Sequence, residues 1–175
     1  LIGNDNVNPF QILAITFTNK AAQEMKDRVA ALVGPVAEKM WVSTFHSACV
    51  RILRRDAEQL GYPSTFSIYD QADAVRLTGY VARDLGLDTK KFVPRSVHAH
   101  ISNLKNELVS THQALEKAEG VFDRKIAEIY EEYQRRLRTS GAMDFDDLLN
   151  VTVELFTAHP DTLTHYQERF QHVLV

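Results

Sequence analysis

Two short runs place polar, aromatic and imidazole groups where the chain passes from a strand into a helix. TFTNKAAQEM, from Thr16, offers hydroxyls at Thr16 and Thr18, an amide at Asn19 and a phenyl ring at Phe17. STFHS, from Ser43, repeats the arrangement with Thr44 and His46. Hydroxyls, amides and the free N–H groups of a helix start attract phosphate, and a ring among them can stack on a base. Two neighbouring strand ends of this kind would line a groove for a phosphodiester backbone. Each residue also has a plainer use. Phe17 can fill a core, and the three threonines can satisfy backbone groups at the strand–helix junctions. His46 can cap or be buried, and no acid or nucleophile is placed to make it catalytic.

Other clusters carry less. Asp144, Asp146 and Asp147 resemble a metal set, but Asp144 can cap a helix whose dipole favours the other two in its first turn. His98 and His100 form an H-x-H without further ligand spacing for zinc, which makes them surface residues. Arg51, Arg54 and Arg55 share one helical face, as do Arg135, Arg136 and Arg138, and both sets read as solvated faces. Cys49 sits on an apolar helical face and reads as packing; a lone cysteine excludes an internal disulfide and fits a reducing compartment.

The elements that must hold these groups follow from periodicity. Residues 11–17 are an apolar run with the length and flanks of a buried parallel strand. From Asn19, the expected N-cap, Ala22, Met25, Val29 and Leu32 recur at helical spacing until Gly34-Pro35. A second strand, residues 40–44, runs into a helix closed by Gly61. Strand–helix–strand–helix with short connections signals an α/β sheet. From there to about Gly141 the chain reads helical, apart from one short strand near residues 66–69; Asp70 with Asp73 forms a capping pair, and Pro94 opens a helix. A helix from Asp144 to before Pro160, a shorter helix, and the apolar run HVLV at residues 172–175 follow. HVLV reads as a sheet strand, and the chain is expected to be a fragment.

Composition bounds the class. The 175 residues are 45% hydrophobic and 25% charged, as in a globular protein, and no run approaches the roughly 20 apolar residues of a membrane span. The net charge of −3 does not mark a nucleic-acid binder. Residues 1–60 carry 7 Lys/Arg against 6 Asp/Glu, residues 61–143 carry 12 against 11, and residues 144–175 carry 1 against 6. Any DNA contact must therefore come from small local patches.

These runs carry a resemblance. ILAITFTNKAAQEM is similar to motif Ia of the UvrD/PcrA/Rep-type superfamily 1 bacterial DNA helicases, WVSTFHS to their following TFHS motif, and MDFDDLL to their DFDDLL motif. ISNLKNEL, from Ile101, and YEEYQRRLR resemble segments of the inserted subdomain of that family. Order and spacing match over almost the whole chain.

The resemblance implies an α/β fold: a partial RecA-like parallel sheet of the P-loop NTPase type with a mostly helical insertion. Residues 1–60 would be part of motor subdomain 1A, residues 61–141 subdomain 1B, and residues 142–175 a return to 1A. It implies an ATP-dependent 3′-to-5′ helicase and translocase of DNA repair or replication restart. Its partners would be single-stranded DNA, the junction of single and double strand, and repair proteins, in the bacterial cytoplasm and away from membranes. The matches to Thr16, Phe17, Thr18, Asn19, Thr44 and His46 would line the strand track, and Lys105 would meet phosphate near the duplex. ATP and Mg2+ would serve the full-length parent. G-x-x-x-x-G-K followed by Ser or Thr, which cradles the phosphates, does not occur in these residues. HVLV is expected to stop just before the Asp-Glu pair that holds magnesium. The fragment alone would then bind no cofactor and be inactive. A motor subunit of a RecB/AddA-like helicase–nuclease and a non-catalytic helical DNA-binding or adaptor module remain the rivals.

Overall fold

The apolar run after Pro9 becomes strand β1, Ile12–Thr16, in a computed structural model that describes Ile2 and residues 7–175. The strand begins one residue later than its composition suggests. Pro9–Gln11 form a 3-10 turn, with the Asn8 carboxamide accepting from the Phe10 N–H. Helix α1, Asn19–Val33, ends at Gly34, whose φ of 75° suits only glycine without strain. Its N-cap is Thr18, one residue ahead of the expected Asn19: the Thr18 hydroxyl accepts from the Ala21 N–H at 3.1 Å. A second 3-10 segment, Gly34–Lys39, leads to β2, Trp41–Thr44.

Contacts divide the chain into two compact units, residues 1–56 with 152–175 and residues 57–151. In the first, β2, β1 and β5 (His172–Leu174) form a parallel sheet in the order β2-β1-β5. Leu13 faces Trp41 and Thr16 faces Thr44 on one side of β1, and Leu13 faces Val173 on the other. HVLV is therefore a sheet strand. Ile12, Ala14, Met40 and Val42 form a core against Met25 and Val29 of α1. Helix α2, Phe45–Asp56, follows β2 directly and tightens into a 3-10 turn, Ala57–Leu60, before Gly61.

The second unit is mostly helical. Strand β3, Ser67–Tyr69, leads to α3, Gln71–Asp84, capped by the Asp70 carboxylate on the Asp73 N–H. Then come α4, Pro94–Asn106, and α5, Thr111–Lys117, which starts with a reciprocal Ser110–Gln113 capping box. Helix α6, Val121–Thr139, supplies Ile129, Tyr133 and Leu137 to a core with Val81, Val97 and Ile101. Strand β4, Ala142–Asp144, pairs parallel to β3 with Tyr69 facing Asp144. Helix α7, Phe145–Ala158, begins in this unit, and the contact boundary falls inside it at Val151 and Thr152. That boundary lies ten residues beyond the sequence boundary at 142, because β4 is held by β3. Helix α8, Pro160–Arg169, completes the helices.

Candidate nucleic-acid interface

Parallel register at the carboxyl end of the first sheet puts Thr16 beside Thr44. The residues that follow, Phe17 and Phe45, therefore emerge as neighbours, with ring centres 5.4 Å apart and planes tilted by 43°. Phe17 is 82% exposed. Burying such a ring is worth roughly 1.5–3 kcal/mol, so a phenyl group held in water beside a well-packed strand is not serving the core. Asn19 and His46 are also exposed, in the first turns of α1 and α2.

The threonines divide. Thr18 is exposed, but its hydroxyl caps α1. Thr44 is buried; its hydroxyl donates to Ser47 Oγ at 2.9 Å and accepts from the Ser47 N–H at 3.2 Å, which fixes the first turn of α2. Thr16 is half-buried. Beside Thr44, the Ser43 hydroxyl is buried and has no hydrogen-bond partner among the described residues. The edge is electrostatically uniform. Two helices start there, neither has an acidic residue in its first turn, and Lys20 lies in the first turn of α1. The positive ends of both dipoles therefore face the same strip without a carboxylate to cancel them.

Lys105 does not belong to this edge. It lies on α4 in the other unit and is 1% exposed. Its ammonium donates to Asp144 Oδ2 at 2.7 Å and Asp147 Oδ1 at 2.8 Å. Tyr133 donates to Asp144 at 2.8 Å and Gln134 to Asp147 at 3.0 Å. A phosphate cannot approach an ammonium enclosed in this way, and the expectation of a DNA contact by Lys105 is corrected accordingly. Burial opposes its charge, but Asp147 and Asp144 outweigh burial and hold its pKa above the ordinary value. Asp144 and Asp147 of the acidic cluster are spent on the same network. Asp144 accepts from the Asp147 N–H at 2.9 Å and Asp147 from the Asp144 N–H at 3.2 Å, capping α7 reciprocally. His98 is likewise not the surface residue its sequence context suggested. It is 4% exposed, edge-on to Tyr133 at 5.8 Å, and burial lowers its pKa.

The sequence reading missed Phe145. It follows the end of β4 as Phe17 follows β1 and Phe45 follows β2, and it is 47% exposed. The signal was present in MDFDDLL but needed Ala142–Asp144 to be seen as a strand. Cys49 is half-buried, and burial pushes its thiol up, which fits packing and not nucleophilic use.

A parallel sheet whose strands open into helices at the carboxyl edge, interrupted by a helical insertion between β2 and β5, defines a partial RecA-like α/β domain. Within that class, the profile of the UvrD/REP helicase N-terminal domain matches residues 1–175, and the chain belongs to this family. It is 56% identical over 169 residues to the ATP-dependent DNA helicase UvrD1 of Mycobacterium tuberculosis, covering 94% of this chain and 22% of that protein. It is 45% identical to the ATP-dependent DNA helicase PcrA of Bacillus subtilis and 47% identical to that of Staphylococcus aureus, covering 100% of this chain and 24% of each. The chain thus spans less than a quarter of the length of these relatives.

Proposed function

We propose that the chain is the N-terminal part of an ATP-dependent 3′-to-5′ DNA helicase and translocase, and that the carboxyl edge of its first sheet grips single-stranded DNA. The observation that carries this reading is Phe17, an exposed ring beside Phe45 at an edge where two helix N-termini meet without an acid. Bases stack on Phe17, and phosphates meet the N–H groups, Asn19 and His46. Thr18 and Thr44 shape the helix starts that present those groups, and Thr16 lines the strand end. The subdomain reading follows: residues 1–60 and 142–175 in motor subdomain 1A, and residues 61–141 in a duplex-facing subdomain 1B. Lys105 holds the interior of the helical unit.

The relatives are named as ATP-dependent, and ATP with Mg2+ is assigned to the full-length protein. The residues present do not fit that site. No phosphate-cradling pattern occurs in them. Among the described residues no group of three or more His, Cys, Asp or Glu is placed to hold a metal. A setting in bacterial DNA repair, with single-strand/double-strand junctions and repair proteins as partners, accompanies the assignment.

The test is single-stranded-DNA-stimulated ATP hydrolysis by a protein of the full length of the relatives, beside this chain and a full-length Phe17→Ala variant. The full-length protein should be stimulated and this chain silent. Phe17→Ala should raise the DNA concentration needed by an amount worth ~1–3 kcal/mol. A full-length protein without DNA-dependent hydrolysis sinks the helicase reading and leaves the adaptor module standing.

A further inference from the structure

Helices α4, α5 and α6 of the second unit enclose a cavity of about 280 Å³. The space is left by three alanines, Ala114 of α5, Ala118 just after it and Ala127 of α6, which meet Leu104 and Ile126. The floor is therefore apolar. The rim is charged: Glu107, the C-cap residue of α4, and Asp123, in the first turn of α6, stand with Lys117, the last residue of α5. All three are exposed, and among the described residues none has a partner within ion-pair distance. A neighbouring residue adds an independent sign. Helix α4 ends in a Schellman turn, with the Val109 N–H donating to the Leu104 carbonyl and the Leu108 N–H to the Lys105 carbonyl, each at 2.9 Å. Such a turn calls for a left-handed residue, usually glycine, and Leu108 takes it at a φ of 55°. Its side chain is 58% exposed, so a disfavoured backbone carries an apolar group that the chain does not bury. Val121, two residues before Asp123, is 81% exposed.

We propose that this cavity docks a basic segment of a partner protein, which sets one apolar side chain on the alanine floor while a neighbouring Lys or Arg meets Glu107 and Asp123. Charge fixes the sign of the partner. Residues 107–124, which frame the cavity, hold Glu107, Glu116, Glu119 and Asp123 against Lys117 and Arg124. Helix α4 ends at Glu107, so the negative end of its dipole adds to the two rim carboxylates. From α4, His100 and Asn103 line the cavity without a fixed charge, and Lys105 is enclosed in its own carboxylate pair. Lys90, Lys91 and Arg95 do not line it. This field repels an acidic peptide and a phosphate backbone, and it draws a basic segment in. Extent selects a peptide over a small molecule. The cavity is at the small end of ligand sites and holds one side chain, whereas Leu108 and Val121 lie outside its lining and are covered only by a longer occupant. The proposal does not rest on strand binding at the sheet edge.

Fluorescence anisotropy of a fluorescein-labelled hexapeptide alternating Leu and Lys, titrated with the chain at low salt, should show saturable binding. The matching Leu–Glu peptide should not bind, and a Ser–Lys peptide should bind about tenfold more weakly for want of the apolar anchor. Glu107→Gln combined with Asp123→Asn, both at exposed positions, should weaken binding about tenfold, the upper worth of two exposed ion pairs. Ala118→Leu, which fills the cavity, should weaken it several-fold. Leu108→Gly separates docking from folding: glycine suits the turn, so the melting temperature should hold or rise while binding weakens several-fold. No saturable binding of the Leu–Lys peptide, equal binding of the Ser–Lys peptide, or binding indifferent to the loss of both carboxylates overturns the proposal. Displacement of the peptide by phenethylamine at an equal concentration overturns it too, by assigning the cavity to a small organic cation.

Discussion

An ammonium 1% exposed survives only where it is paired, and Lys105 donates to two carboxylates that also accept from Tyr133 and Gln134, with the Tyr133 ring centre 5.2 Å away. Removing the cation strands two negative charges in the interior. Lys105→Met, close in shape, should therefore cost about 3–5 kcal/mol, read as a lower urea midpoint at unchanged slope. A loss under about 1 kcal/mol would mean the carboxylates are solvated after all. The same network sets a pH dependence. Burial, and the charge of Asp144, push the Asp147 carboxyl up to about 6 although Lys105 pulls it down. The folded state then takes up a proton where the unfolded chain, near 3.8, does not, so this group adds stability as pH falls from 7 through 6. Asp144 acts the other way. Burial raises it, but Lys105 and its hydrogen bonds hold it below 3.8, so its contribution is present above that value and lost as pH falls through its folded pKa. Between pH 7 and 5 only Asp147 titrates within the carboxylate pair. His98, whose pKa burial lowers, acts the other way as pH falls, so Asp147→Asn should shift the pH dependence of the urea midpoint over that window toward lower stability at the acid end, and an unchanged dependence would place the titration elsewhere.

Capping decides the element scale. Thr18 offers its hydroxyl to the Ala21 N–H, so Thr18→Ala should cost about 1 kcal/mol, or roughly 2–4 °C in melting temperature for a chain of this size. Asn19→Ala should leave the melting temperature near its starting value, since Asn19 is exposed and does not cap. An equal fall in both would return the cap to Asn19. The elements themselves were legible wherever local chemistry sufficed: β1 and β2 as apolar runs, α1 by its spacing and Gly34, α3 by the Asp70 cap. Ala142–Asp144 was not legible, because three residues carry no alternation and become a strand only by pairing with Ser67–Tyr69. For the same reason Phe145 was missed as the head of a helix leaving a sheet. Lys105 and His98 were misplaced because burial there depends on groups that arrive from elsewhere in the chain: Asp144 lies 39 residues beyond Lys105.

For the whole molecule, charge separates two ways of holding DNA. Net charge is −3 and the cations are dispersed, while the edge that carries Phe17 offers helix N-termini, amides and a ring, with Lys20 as the cation in its first turns. On the proposed reading, affinity at such an edge comes from stacking and backbone donors, not from release of counterions. Each phosphate neutralised by a cation on single-stranded DNA contributes about 0.7 to the slope of log affinity against log salt, so strand binding by this chain should show a slope of magnitude below about 2. Phe17→Ala should lower affinity by a similar factor at every salt concentration and leave the slope unchanged, because the ring carries no charge. Fluorescence anisotropy of a labelled oligonucleotide across a salt series measures both. A slope several times steeper, or one that falls in Arg51→Gln, would move the strand to the arginine-bearing face of α2 and away from the sheet edge. The shallow slope and the salt-independent Phe17 effect must therefore appear together, since each alone is compatible with binding at the other face.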